Sequence, residues 1–208
     1  DYLNLRYRFV PFLYDQLRHE TESGLPVMRP LVLNYDQDPA VRQINDEYMV
    51  GTSILVAPIV NQGADKRLVY LPAGKWLDFW NNAEYSGQQT IMVNAPLEKL
   101  PLFIKKDTIL PWGNKVKHIS DEPEKVMTFR LFGDCGAYKH YQDNGLDFKY
   151  QEGEYNEYYV EVANDGQVAV KLNKHGYQPT YERVYVETDR GRFEFDYDDS
   201  NEDYRLVK

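Results

Sequence analysis

From Ile54 to Tyr197 the sequence repeats one arrangement: a short run of β-branched and aromatic residues, then two or three turn-forming residues. The runs are Ile54 to Val60, Arg67 to Leu71, Trp76 to Phe79, Gln89 to Val93 and Leu102 to Ile104, followed by Val126 to Phe132, Ala137 to Gln142, Tyr158 to Val162, Gln167 to Leu172, Arg183 to Glu187 and Phe193 to Tyr197. Between them stand Asn61-Gln62-Gly63, Pro72-Ala73-Gly74, Asn81-Asn82, Ser86-Gly87, Asn144-Gly145 and Asp165-Gly166, all residues that reverse a chain cheaply. Segments this short cannot carry helical crossovers, so the pattern predicts a mainly β fold of antiparallel sheets.

The runs fall into two series. Residues 113–125 between them are polar, hold Gly113, Asn114, Ser120 and Pro123, and read as a linker. Charge divides at nearly the same place: residues 1–119 hold 13 basic and 13 acidic side chains, leaving 11 and 20 for residues 120–208. Two antiparallel β domains with separate cores are therefore expected. The net charge of −9, with no basic cluster to offset it, argues against nucleic acid as a partner. No apolar run approaches the roughly 20 residues of a membrane span.

The opening does not fit either series. Leu3, Tyr7, Val10, Tyr14 and Leu17 recur at steps of four and three and predict a helix with one apolar stripe, kinked at Pro11 and stopped by Ser23-Gly24 and Pro26. Phe9, Phe12 and Leu13 widen its apolar coverage. Val27 to Leu33 is nearly continuous in apolar residues, as in strands buried on both faces of a parallel sheet. One helix and one such strand cannot make that sheet, so the remaining strands are expected from residues absent here or from another chain. Asp38-Pro39 then predicts an N-cap, with Val41, Ile44 and Tyr48 on one face of a short helix ending near Gly51.

Residues able to do chemistry are scattered. His19, His118, His140 and His175 lie on different expected elements, none at metal-ligand spacing from Cys135 or a carboxylate. Cys135 is the single cysteine and reads as a turn or packing residue. Asp196, Asp198, Asp199, Glu202 and Asp203 lack the pattern of a calcium loop and read as a solvated edge. Trp76, Trp80 and Trp112 are potential sugar platforms, although burial in a sandwich core is the commoner use of tryptophan. No metal, cofactor or catalytic residue is assigned.

Several blocks in order carry a resemblance. Leu5-Arg6-Tyr7-Arg8-Phe9-Val10-Pro11-Phe12-Leu13-Tyr14, Gly24-Leu25-Pro26-Val27-Met28-Arg29-Pro30-Leu31, Asp46-Glu47-Tyr48-Met49-Val50-Gly51 and Leu55-Val56-Ala57-Pro58-Ile59-Val60 resemble the C-terminal part of family 31 glycoside hydrolases, of α-glucosidase type. So do Val69 to Trp80, Ala95 to Ile104 and Ile109-Leu110-Pro111. Farther on, Tyr141-Gln142-Asp143-Asn144-Gly145, Tyr150 and Glu152-Gly153-Glu154-Tyr155 are similar to the distal β domain of the same enzymes.

The resemblance implies that residues 1–35 are the last helix and strand of a (β/α)8 catalytic barrel, residues 36–118 a proximal β-sandwich and residues 119–208 a distal one. It also implies retaining hydrolysis of α-linked oligosaccharides by two aspartates on upstream barrel strands, hence no catalytic residue and no activity in this chain alone. Arg29 comes nearest to a substrate-binding residue, because barrel sites lie at strand C-termini; a buried arginine that holds an upstream aspartate in place is the simpler reading. The implied partners are the upstream barrel and, through it, the oligosaccharide. The alternative is a non-catalytic sandwich module that braces the barrel or binds carbohydrate. One cysteine suits a cytoplasmic protein. Without a barrel, residues 1–35 are expected to be unstable, and their deletion to improve solubility.

Overall fold

The computed structural model describes residues 2–114, 124–178 and 180–207. The chain is mainly β and divides into two compact units, His19–Lys106 and the combination of Asp1–Arg18 with Asp107–Lys208.

In the unit His19–Lys106, the apolar run from Val27 splits into two elements. Strand β1 (Met28–Pro30) turns Arg29 inward and leaves Met28 and Pro30 exposed. Helix α2 (Leu31–Asn34) follows, burying Leu31 while Val32 and Leu33 face solvent. The expected doubly buried parallel strand is thus a three-residue edge strand, antiparallel to β2 (Tyr48–Val50). Asp38 does cap the next element, its side chain accepting from the Ala40 N–H at 3.0 Å. That element is a 3-10 turn over Pro39–Gln43 and not a helix to Gly51, because Tyr48 is taken into β2.

The other strands of this unit are β3 (Ile54–Val56), β4 (Lys66–Leu71), β5 (Lys75–Asp78), β6 (Glu84–Ser86), β7 (Gln89–Asn94) and β8 (Leu102–Lys105). They form a six-stranded sheet ordered β1-β2-β3-β8-β5-β6 and a β4-β7 ribbon, with every pair antiparallel. Val69 and Leu71 from the ribbon pack with Met49, Leu55, Trp76 and Phe103 from the sheet, and this cluster is the core of the sandwich. Burial of this kind contributes about 25 cal/mol per Å² of apolar surface.

The second unit contains β9 (Thr108–Trp112), β10 (Val126–Phe132), β11 (Gly136–Gln142), β12 (Asn156–Val162), β13 (Val168–His175), β14 (Arg183–Thr188), β15 (Gly191–Asp198) and β16 (Asp203–Leu206). A five-stranded sheet, β16-β15-β14-β10-β9, faces a three-stranded sheet, β11-β12-β13. Between them lie Phe129, Val184, Val186 and Phe195 from the first sheet and Tyr158, Val160 and Val170 from the second. Thr108–Trp112, placed by sequence in the first sandwich, pairs with β10 in this second one, from Thr108↔Phe132 to Thr128↔Trp112. The β10–β14 pair is parallel, an exception to the antiparallel expectation. The expected linker lies mostly outside the described residues. Gly133 lets β10 turn: at φ +130 a Cβ there would stand 2.4 Å from Asp107 Oδ1.

Helix α1 (Tyr2–Ser23) runs through Pro11 without a break. Proline has no N–H for the Tyr7 carbonyl. At this turn the chain approaches Gly113, whose N–H donates to the Arg8 carbonyl at 2.8 Å and whose absent Cβ would lie 3.0 Å from Tyr7 O. The inward face holds Phe12 and Asp15, not the expected stripe: Leu3 is 74% exposed and Leu17 51%.

Candidate functional site

Three clusters of polar side chains stand out among the described residues.

The first is centred on Asp15 of α1, buried beside β11. Its carboxylate accepts from the Tyr138 hydroxyl at 2.9 Å, the Tyr141 N–H at 2.9 Å and His140 Nδ1 at 2.9 and 3.1 Å. His140 Nε2 lies 2.9 Å from the Tyr181 hydroxyl, and the two rings stack at 5.8 Å. Alternation along β11 puts Tyr138 and His140 on the same face, aimed at the helix. Carboxylate, imidazole and hydroxyl stand in the order of a nucleophilic relay. Activation would require a lowered pKa and access to substrate. Tyr181 has neither: it is buried, and burial with Tyr158, Glu124 and Asp15 nearby pushes its hydroxyl well above the usual range. Burial and Asp15 do the same to Tyr138. The cluster fastens α1 to the sandwich.

The second cluster continues this seam. Tyr14 and Tyr141 donate to the two oxygens of Asp143 at 2.7 and 2.8 Å, and the Gly145 N–H donates to the same carboxylate. The guanidinium of Arg18 lies over the rings of Tyr141, Tyr155 and Tyr150, at 5.0, 5.4 and 5.7 Å. These contacts are cation–π pairs.

The third lies in the other unit. Arg67 donates to Glu47 Oε1 at 3.2 Å and to the carbonyls of Asp46 and Pro58, and meets the Asp46 carboxylate at 2.9 Å. Glu47 Oε1 also accepts from the Tyr70 N–H at 2.9 Å, while its Oε2 is buried without a partner among the described residues. Burial pushes the Glu47 carboxyl up to about 7, against the lowering pull of the Tyr70 N–H and Arg67. Arg29, the residue singled out from the sequence, is 2% exposed; its Nε donates to the Pro26 carbonyl at 2.7 Å and its Nη2 has no partner among the described residues.

Residues 24–110 match the model of the glycosyl hydrolase family 31 C-terminal domain. The chain is 34% identical over 190 residues to alpha-glucosidase 2 of Bacillus thermoamyloliquefaciens, covering 89% of this chain and 24% of the relative. It is 31% identical to the alpha-xylosidase of Saccharolobus solfataricus, over 74% of this chain and 21% of that one. The family 31 dextranase of Flavobacterium johnsoniae, solved in complex with glucose, superposes with a TM-score of 0.80 at 31% identity, over 89% of this chain and 24% of that one. The chain belongs to glycoside hydrolase family 31.

It spans about a quarter of the length of these relatives. The blocks that resembled the family serve here as joints. Tyr141, Asp143, Tyr150 and Tyr155 of the distal block surround Tyr14 of the opening block and Arg18 one helical turn beyond it, and Glu47 of the Asp46–Gly51 block ties β2 to β4. The other candidates are also in structural use. Trp76 is in the core, its Nε1 donating to Pro72 O at 2.8 Å; Trp80 Nε1 donates to Leu100 O at 2.7 Å; Trp112 packs edge-on against Phe9. His175 contacts Tyr197, His19 is exposed, and His118 lies outside the described residues. Asp196 and Asp198 pair with Arg183 and Arg205, and Asp203 accepts from the Leu172 N–H. Among the described residues no group of three or more His, Cys, Asp and Glu could hold a metal, and no helix is long and apolar enough to cross a membrane. Sequence reading missed the pairing of His140 with Asp15; a carboxylate on the inward face of an amphipathic helix was the available signal.

Proposed function

We propose that this chain is the non-catalytic C-terminal portion of a retaining α-glycosidase, of α-glucosidase type, that hydrolyses terminal α-linked sugars of oligosaccharides, and that the chain alone is inactive. The observation that carries the reading is the 34% identity to an alpha-glucosidase across 89% of this chain but 24% of that enzyme. The catalytic aspartates, a nucleophile and a general acid/base about 5–5.5 Å apart in retaining enzymes, belong to the upstream barrel. The buried carboxyls here support this: Asp15 spends both oxygens fastening α1, and Glu47 holds Tyr70 and Arg67.

The chain's own role is that of a brace. Two of its three tryptophans are buried in packing, and the outward stripe of α1, with Leu3 and Leu17 exposed, suits an upstream partner surface better than sugar. The division read from the sequence into barrel end, proximal and distal sandwiches, 1–35, 36–118 and 119–208, belongs to the same proposal, with Met28–Pro30 and Thr108–Trp112 assigned instead to the sheets in which they pair. The single Cys135 suits a reducing compartment, and the parent is assigned to the cytoplasm.

The full-length enzyme should release glucose from maltose with the α-anomer appearing first by proton NMR. Release of the β-anomer first, or no cleavage of any α-glucoside or α-xyloside, would refute the reading.

A further inference from the structure

Two arginines of the unit His19–Lys106, buried Arg29 and half-buried Arg67, are treated differently. Arg67 has two carboxylates and three carbonyls around it. Arg29 has the Pro26 carbonyl on Nε, a buried Nη2 with no acceptor, and no paired carboxylate among the described residues. An arginine keeps its charge in proteins, and a buried charge without a counter-ion is among the most costly arrangements a fold can hold. Nothing in this unit repays it.

The surroundings of Arg29 are unfinished in the same way. Strand β1 is an edge of the six-stranded sheet. Met28 beside Arg29 is 59% exposed, and Val32 and Leu33 on the following helical turn are exposed as well. A buried unpaired cation on an edge strand, with exposed apolar residues before and after it in sequence, is half of an interface. About three quarters of the length of family 31 relatives lies outside the matched region, enough to supply the other half.

We infer that Arg29 is the docking point for a carboxylate carried by the catalytic region of the full-length enzyme, with exposed Val32 and Leu33 on the following helical turn covered by the same region. A carboxylate fits better than a carbonyl because a charge, not only an N–H, is unmet. The inference rests on the proposed function in requiring that upstream region. It makes Arg29 a positioning residue for the catalytic part rather than a contact to sugar.

The test compares one substitution in two settings. In the isolated 208-residue chain, Arg29→Met removes an uncompensated charge and should raise Tm by about 2–4 °C. In the full-length enzyme the same substitution strands the partner carboxylate and should lower Tm by at least that much. Opposite signs are the expected result; a fall in both settings would show that Arg29 is satisfied within this chain, and a rise in both would show that it has no partner, either of which overturns the inference. Arg29→Lys and Arg29→Gln in the full-length enzyme remain informative where the methionine variant fails to fold. Lysine keeps the charge and should retain the higher Tm; glutamine equal to or above lysine would mean a carbonyl and overturn the carboxylate. A wild-type enzyme inactive on α-glycosides would count against the proposed function and leave these Tm comparisons readable.

Discussion

Asp15 and His140 stand 125 positions apart in sequence, yet the imidazole Nδ1 lies 2.9 Å from the carboxylate, both side chains buried where α1 meets β11. Asp15→Ala would leave His140 Nδ1, the Tyr138 hydroxyl and the Tyr141 N–H without their acceptor. Each orphaned buried group costs about 1–3 kcal/mol, so a loss near 3 kcal/mol is expected by urea denaturation, with Asp15→Asn falling between. A loss under about 0.5 kcal/mol would mean that α1 is held by apolar contact alone.

Arg18 contributes through three tyrosine faces. Partly exposed cation–π pairs are each worth about 0.5–1 kcal/mol, so Arg18→Ala should cost about 1–2 kcal/mol. Tyr141→Phe keeps the ring and removes only the hydroxyl to Asp143, and should cost less. If the tyrosine change is the larger, Asp143 and not the cation organises this seam.

Glu47 gives the unit His19–Lys106 a pH dependence of definite sign. Its folded pKa is raised from 4.5 to about 7, so the folded state holds the proton more tightly than the unfolded chain. The associated stability is complete below about pH 4.5 and is lost as pH rises through about 7. Relative to Glu47→Gln, which cannot titrate, the wild type should lose stability between about pH 5 and pH 8. Parallel urea midpoints for the two proteins across that range would contradict this.

The opening segment behaves differently from what its stripe suggested. Deletion of residues 1–35 was expected from the sequence to improve solubility. The structure predicts that it removes Phe12, Asp15 and Arg18 from the unit to which they belong and uncovers His140 and Trp112. The milder route is Leu3→Glu with Leu17→Glu, both on exposed positions. These should leave the Tm of the isolated chain within about 1 °C and improve its solubility, since surface changes away from special features are nearly neutral. A large loss of Tm would mean that the stripe is already packed in this chain.

The β architecture was legible because alternation and turn chemistry are local: Val126 to Phe132 and Arg183 to Glu187 were read within a residue of β10 and β14. Their parallel pairing was not, since it depends on which strands meet across the sheet. Val27 to Leu33 misled because a continuous apolar run carries no period; a three-residue strand and a helical turn produce the same composition as one buried strand. The face of α1 was misassigned because hydrophobicity weighed Leu3 and Leu17 but not Asp15, whose burial depends on partners more than a hundred residues away. Arg29 was singled out from the sequence, but its burial and the acceptor missing from its Nη2 are visible only in three dimensions.

The most direct measurement is hydrolysis of p-nitrophenyl α-glucoside by the purified 208-residue chain and by the full-length enzyme, side by side. The expected result is turnover by the full-length enzyme and none by the chain, whose buried carboxyls are occupied in holding the fold. Turnover by the chain itself, retained after contaminating glucosidases are removed, would place the catalytic pair within these residues and contradict the assignment.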